Sequence, residues 1–211
     1  MSGDTETLSR RQREKLRHKE EILSAALRLF SAKGFHNVSM QEIASEAEFA
    51  IGTLYKFFAS KEALFDELVE ASGERIAVNV AAILDLPGTE VERLASYFRS
   101  LPAQLEEHAP FIKLYVSEMG TRCAKLAKDH GQPKVKTIIA SKIRNLLNAG
   151  IRKGLFRSVD PDVATVAINS TVETLAFEMA GQFDRAKATH IFEKVEHFFL
   201  DGLLKPEGPR R

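Results

Sequence analysis

Residues 39–57 read SMQEIASEAEFAIGTLYKF, and this stretch decides the fold. Ser39 and Glu42 form a capping-box pattern, in which each side chain accepts a hydrogen bond from the other residue's backbone N–H at the start of a helix. Only three residues, 48–50, separate this helix from a second one predicted over 51–57. Two short helices at this spacing are typical of a helix-turn-helix, whose second helix lies in the major groove of DNA.

The apolar residues of the remaining chain recur at helical spacing. In the first segment Ile22, Ala26, Leu29 and Phe30 fall on one helical face. No convincing run of alternating β-branched residues with hairpin turns interrupts this pattern. The sequence therefore predicts an all-α fold of about nine helices. They cover about 17–32, 39–47, 51–57, 60–84, 89–107 with a kink near Pro102, 110–127, 134–153, a segment that begins at Asp160-Pro161, and 185–204.

The chain has 211 residues, and its 30 Lys and Arg balance 29 Asp and Glu to a net charge of +1. This average alone does not predict a polyanionic partner. The distribution of charge does, because six Lys and Arg stand against one acidic residue between Arg10 and Lys19. Beside a helix-turn-helix, we expect residues 1–16 to form a flexible basic arm that reaches into the flanking minor groove.

Other functional classes find little support in the sequence. One cysteine, Cys123, excludes an intramolecular disulfide, and either inert packing or redox sensing stays open for it. No apolar run approaches the roughly 20 residues that span a bilayer, and the start of the chain is not a signal peptide. We therefore expect a cytoplasmic protein with no membrane partner. Common catalytic motifs are missing and the histidines are scattered, so we expect no enzyme, no metal site and no cofactor.

Three motifs stand in order between Ile22 and Phe65. They are Ala32-Lys33-Gly34-Phe35, Ser39-Met40-Gln41-Glu42-Ile43-Ala44, and Gly52-Thr53-Leu54-Tyr55-Lys56-Phe57-Phe58 followed by Lys61-Glu62 and Leu64. By these motifs the segment resembles the DNA-binding domain of the TetR/AcrR family of bacterial repressors. Gly150-Ile151-Arg152-Lys153-Gly154-Leu155-Phe156, followed by Asp160-Pro161, resembles the ligand-binding and dimerisation domain of the same family.

We accordingly expect a DNA-binding domain over 17–65, a ligand-binding and dimerisation domain over 66–205, and a frayed tail over 206–211. The resemblance implies a transcriptional repressor that a small molecule releases from a palindromic, double-stranded DNA operator. Ligand binding would tilt the helix over 60–84, which links the two domains. The alternative is a ligandless DNA-binding adaptor that a protein partner regulates.

The resemblance also implies roles for individual residues. Ser39, Tyr55 and Lys61 would bind backbone phosphates, and Lys56 stands where family members often have a phosphate-binding polar residue. Gly52 would let the backbone approach the duplex, and Thr53 would face the bases. The complete predicted DNA-binding set is Ser39, Gln41, Ile51, Gly52, Thr53, Tyr55, Lys56 and Lys61.

The chain departs from the family pattern at the turn. It has Glu48-Phe49-Ala50-Ile51 where the family often has Gly-Val-Ser-Lys. Ala50 has no side-chain oxygen with which to cap the second helix. Ile51 removes a charged group that could contact a base, so we expect readout to depend on apolar contacts and DNA shape.

The C-terminal half is rich in apolar helices. We expect the last two to form a four-helix interface in a homodimer, since operator binding needs two second helices about 34 Å apart. A small-molecule pocket is predicted from aromatic side chains and from polar residues embedded among them. This set is Phe98, Phe111, Tyr115, Met119, Asn169, Glu173 and Phe177. Core packing is the alternative for each aromatic residue, and pairing across the dimer or contact with water is the alternative for the polar ones.

Overall fold

The computed structural model describes residues 9–118 and 134–204, with only the backbone for 134–136. Within these residues it contains eight α-helices, one 3-10 helix (Phe35–Asn37) and no strand, which confirms the predicted all-α fold. The α-helices are α1 (Arg10–Lys33), α2 (Met40–Glu46), α3 (Ile51–Phe57), α4 (Lys61–Leu84), α5 (Glu90–Glu118), α6 (Lys134–Arg152), α7 (Pro161–Met179) and α8 (Arg185–Leu203). The chain divides into two compact units between Val69 and Glu70, four residues after the predicted boundary.

The capped helix starts that the sequence predicted at Ser39, Ser60 and Asp160 are present. Ser39 Oγ accepts from the backbone N–H of Glu42 at 3.2 Å, and Glu42 accepts from the N–H of Ser39 at 2.9 Å. Ser60 Oγ accepts from the N–H of Ala63 at 3.1 Å where α4 begins. Asp160 caps α7, with Pro161 at its first position. Each side chain satisfies an N–H group that has no partner within its helix.

Helix α1 is longer than predicted, which corrects the proposed arm. It begins at Arg10, so residues 10–16 are helical and not a flexible arm; residues 1–8 lie outside the described part of the chain. The physical reason is a second capping box. Ser9 Oγ accepts from the N–H of Gln12 at 3.2 Å, and Gln12 Oε1 accepts from the N–H of Ser9 at 2.7 Å. Glutamine serves in this motif as glutamate does, and no Gly or Pro interrupts the helix before Gly34.

Helix α5 corrects a second prediction, that of separate helices over 89–107 and 110–127. Residues 90–118 form one helix with Pro102 and Pro110 inside it, and 119–127 lie outside the described residues. A proline in a helix interior costs about 3 kcal/mol, whereas burial of one large apolar side chain contributes about 1.5–3 kcal/mol. Burial of the apolar side chains of α5 therefore contributes more free energy than its two prolines cost. The buried apolar side chains include Leu94, Phe98, Leu101, Leu105, Phe111 and Leu114.

The first unit folds around a triangle of phenylalanines. Phe30, Phe35 and Phe65 have ring centroids 5.0 to 6.1 Å apart and join α1, the 3-10 helix and α4. Ile43 from α2 and Leu54 from α3 are fully buried in the same unit. Seven-residue helices are unstable in isolation. This packing therefore holds α2 and α3 in place.

In the second unit, the loop after α6 connects the ends of two helices that contribute to the core. Phe98 of α5 stacks on Phe199 of α8 with ring centroids 5.7 Å apart. Phe156 lies against the end of α6, where a Cβ at Gly150 would be 2.2 Å from its ring. The next residue, Arg157, donates its backbone N–H to the carbonyl of Leu203 at 2.7 Å. The loop thereby fastens the end of α8 to the end of α6.

Candidate nucleic-acid interface

Helices α2 and α3 form the predicted helix-turn-helix. The turn passes through Glu48 at a φ of 60°, a left-handed conformation that non-glycine residues adopt at a cost. Glu48 stands where the family often has glycine, and it is the first of the four residues at which this chain departs from the family pattern. Backbone hydrogen bonds hold the turn, with Glu48 donating to Ser45 at 3.1 Å and Phe49 to Ala44 at 2.9 Å.

Helix α3 buries one side and exposes another. Leu54 is fully buried, whereas Tyr55, Lys56 and Gly52 are exposed. A Cβ built on Gly52 meets no atom within 4 Å, so no packing inside the chain demands glycine there. Ile51 and Thr53 are half-buried at the edges of the exposed face, and the cap residue, Ala50, makes no side-chain hydrogen bond.

An open depression of about 460 Å³ lies where α2 and α4 begin. It brings together four residues of the predicted DNA-binding set, Ser39, Gln41, Tyr55 and Lys61. Unpaired N–H groups and the helix dipole favour an anion at the start of a long helix such as α4.

Lys61 is engaged within the protein. Its ammonium donates to the carbonyl oxygens of Phe35 at 3.0 Å and Val38 at 2.8 Å, and it lies 4.6 Å from the centroid of the Phe35 ring. Two of its three N–H groups are thus used to bind the start of α4 to the turn before α2. The sequence did not reveal this role, because the acceptor carbonyls lie 26 and 23 residues away.

Ser39 is engaged in a similar way. Its hydroxyl donates to Glu42 Oε2 at 2.9 Å while it accepts from the Glu42 backbone. Lys33 donates to Glu42 Oε1 at 2.8 Å. The Lys33 ammonium, then the backbone and hydroxyl of Ser39, lower the pKa of Glu42 to about 2. The carboxylate therefore stays ionised in ordinary buffers, and it fixes the first turn of α2.

A histidine supports the turn from α1, and sequence reasoning missed it. The His18 ring lies 5.0 Å from that of Phe49 and 6.5 Å from that of Phe57, in edge-on geometry. Phe49 is one of the residues by which the turn departs from the family pattern. The departure thus supplies an aromatic contact between α1 and the helix-turn-helix. Lys19, one residue further, binds Glu67 of α4 at 2.7 Å.

The predicted pocket residues of the second unit separate into groups. Tyr115 lies 5.9 Å from Phe111 and 6.1 Å from Phe177 between ring centroids, so these three form an aromatic row between α5 and α7. Phe98 is fully buried on Phe199, about 20 Å further back along α5, so the alternative of core packing describes it.

The remaining members of that set are polar or lie outside the described residues. Asn169 and Glu173 are half-buried on α7, two turns and one turn before Phe177. Met119 lies outside the described residues. Within 9–118 and 134–204, no cluster of three metal-ligating side chains is found, and no helix is long and apolar enough to cross a membrane.

The fold and the exposed face of α3 define a helix-turn-helix protein with a second, larger helical unit. Residues 22–68 match the family model of bacterial regulatory proteins of the tetR family. The chain is 34% identical over 198 residues to YdgC of Bacillus subtilis, described as an uncharacterised HTH-type transcriptional regulator, with 90% of this chain and 94% of YdgC covered. The chain belongs to the TetR family and is a transcriptional regulator of that type.

Two further likenesses extend over most of the chain. The repressor KstR2 of Mycobacterium tuberculosis is 27% identical over 156 residues, which cover 72% of this chain and 76% of KstR2. The fatty acid degradation regulator FadR from Bacillus halodurans has a structure with a TM-score of 0.74 at 21% identity, covering 88% of this chain and 95% of FadR. At that identity the structure shows the shared fold, an N-terminal helix-turn-helix followed by a C-terminal helical domain.

Proposed function

We propose that the protein is a repressor that binds a palindromic operator as a homodimer and leaves it when a small molecule binds the second unit. The exposed face of α3 carries the proposal, with Gly52, Tyr55 and Lys56 at the surface beside the open depression. A helix that buries only Leu54 and exposes a glycine with free space around it is suited to close approach to a duplex.

Within this interface the residues divide their tasks. Tyr55, Lys56 and Gln41 bind phosphates, while Ile51 and Thr53 meet the base edges through apolar contacts. Ser39 and Lys61 position the starts of α2 and α4. The basic residues at the start of α1, which include Arg10, Arg11 and Lys15, extend the interface along the duplex backbone as a helix.

The homodimer is proposed from exposed apolar side chains on the last two helices. Val163, Val166 and Phe198 are 66%, 64% and 74% exposed. Contiguous apolar patches on a surface mark contact sites, and each square ångström of apolar surface that leaves water contributes about 25 cal/mol. A twofold pair also supplies the two second helices that successive major grooves require.

The effector is proposed to be an apolar small molecule bound at the aromatic row of Phe111, Tyr115 and Phe177. Two similar proteins support this choice, since one is named as a fatty acid degradation regulator and the other as a ketosteroid regulator. Release requires the effector to bind the conformation without DNA more tightly than the conformation on DNA. Helix α4 runs across the boundary of the units and is the element through which this preference would reach the operator.

Selection of bound sequences from random duplex DNA tests this function. The expected result is an enriched palindrome whose half-sites are about one helical turn apart, bound by two chains. Substitution Tyr55→Ala should weaken binding to that palindrome, whereas Lys113→Gln, at an exposed position of the second unit, should leave it unchanged. Absence of palindromic enrichment would contradict the proposal.

A further inference from the structure

One face of α5 carries buried polar atoms that have no hydrogen-bond partner among the described residues. Gln104, His108, Phe111 and Tyr115 follow at intervals of four, three and four residues, which places them on a single helical stripe. His108 is only 8% exposed. Its Nε2 atom and the Oε1 atom of Gln104 are buried and have no hydrogen-bond partner among the described residues.

Two such atoms one turn apart are costly to the protein alone. A buried polar group without a partner loses its hydrogen bonds to water and gains none in return. Such groups are rare in native proteins, and each needs an explanation. Here they adjoin the aromatic row, because Phe111 is the next residue of the stripe after His108. A ligand that lies against the row and extends one to two turns along this stripe would meet them.

The protonation state of His108 limits which polar groups a ligand can present to it. Burial lowers the pKa of its imidazole, the positive charge of Arg75 lowers it further, and Glu107 opposes both. The lowered pKa favours the neutral ring, which has one nitrogen that donates and one that accepts. Gln104 Oε1 only accepts, so its partner must be a donor.

A hydroxyl group has the donor and the acceptor that these two atoms require. Its O–H donates to Gln104 Oε1, and its oxygen accepts from the imidazole N–H of His108. A ketone accepts but cannot donate, and a carboxylate cannot donate to the amide oxygen and loses its hydration on burial. We propose that the effector is an uncharged apolar alcohol whose hydroxyl is bound by Gln104 and His108 and whose apolar body lies along Phe111, Tyr115 and Phe177. This inference rests on the effector site of the proposed function.

Calorimetric titration of the full chain at pH 7.5 with three matched probes tests the choice of ligand. The probes are 1-decanol, 2-decanone and decanoate, which share a ten-carbon skeleton and differ in the polar group. We expect 1-decanol to bind about tenfold or more tightly than either of the others, since only it forms both hydrogen bonds. Equal binding of the three, preference for the ketone or acid, or no binding of 1-decanol would overturn the proposal.

Two variants test the assigned residues, and a third is the control. Gln104→Leu and His108→Phe should bring the preference for 1-decanol over 2-decanone close to one, while Lys113→Gln, exposed on the same helix, should keep it. Both variants should also melt at a higher temperature than the unliganded parent, because each replaces an unpartnered buried polar group with an apolar one. Retention of the preference in both variants would overturn the proposal.

The selection of palindromic DNA distinguishes failure of the ligand assignment from failure of the proposed DNA-binding function. A chain that binds a palindrome but does not prefer the alcohol would remain a DNA-binding regulator, and only the ligand assignment would fail. A chain that prefers the alcohol but enriches no palindrome would retain the site at Gln104 and His108 and lose the operator.

Discussion

At the scale of residues, the depression beside α3 contains side chains that already have partners. Lys61 and Ser39 stand at positions that the resemblance assigns to phosphate contacts, yet the ammonium binds two carbonyls and the hydroxyl binds Glu42. Tyr55 and Lys56 are exposed. Their residue types were readable from the sequence. The internal hydrogen bonds were not, because they join residues brought together only by folding.

Replacing Lys61 tests its positioning role. Lys61→Met should lower the free energy of unfolding by about 1–3 kcal/mol, because the carbonyls of Phe35 and Val38 lose their donor. Lys56→Met should change it by less than about 0.5 kcal/mol, since Lys56 is exposed. Urea denaturation measures both, and DNA affinity should fall in both. Equal stability of the two variants would show that Lys61 has no structural role.

The pKa of Glu42 gives a prediction about acid. Its carboxyl titrates at about 2 in the folded protein, against an ordinary value of 4.5. The ionised form therefore stabilises the fold above pH 4.5, and this contribution is lost as the pH falls from 4.5 towards 2. Glu42→Gln should lower stability at pH 7, and its difference from the parent should shrink over that interval. Denaturation curves at several pH values would reveal a pH-independent difference if the prediction were wrong.

At the scale of elements, capping patterns predicted helix starts correctly. The prolines, in contrast, predicted a break in α5 that the structure does not have. The box at Ser39 and the Asp160-Pro161 start are where the sequence predicted them. Helix α5 continues through two prolines because its buried side chains contribute more than the prolines cost. Proline is a local signal, whereas that burial comes from neighbouring helices. The start of α1 is also encoded locally, since Ser9 and Gln12 have the spacing of a capping box.

The end of α6 depends on the absence of one side chain. Gly150→Ala would place a Cβ 2.2 Å from the Phe156 ring and should destabilise the protein by about 1–3 kcal/mol through overpacking. Gly202→Ala is the matched control, because no atom lies within 4 Å of its built Cβ. In a helix such as α8 that change should be neutral or stabilising by up to about 1 kcal/mol. Thermal unfolding distinguishes the two, and equal melting temperatures would contradict this account of the Phe156 site.

At the scale of the whole molecule, the chain forms two compact units, and the proposed function gives them separate tasks. The first holds two short helices on a phenylalanine triangle, and the second presents apolar side chains on α7 and α8. The net charge of +1 conceals this division. Basic residues concentrate at the start of α1, whereas the surface of the last two helices includes the most exposed large apolar side chain among the described residues, Phe198.

The dimer is tested on that surface. Phe198→Glu should yield a monomer at micromolar concentration in analytical ultracentrifugation, because a charge replaces an apolar group proposed to leave water on association. Val78→Glu is the control, since Val78 is 62% exposed on α4, away from the last two helices along the chain. It should remain dimeric. Dimers of the Phe198 variant as stable as those of the parent would remove this residue from the interface.

The sequence alone determined the all-α class, most helix starts and the helix-turn-helix, because caps, spacing and apolar period act over a few residues. It also identified the residue types of α3 that contact DNA under the proposed function. Only the tertiary structure decided that α5 is continuous, that Lys61 supports a turn, and that polar atoms of Gln104 and His108 are buried without a partner among the described residues. These features depend on burial and on partners distant in sequence, which local patterns do not encode.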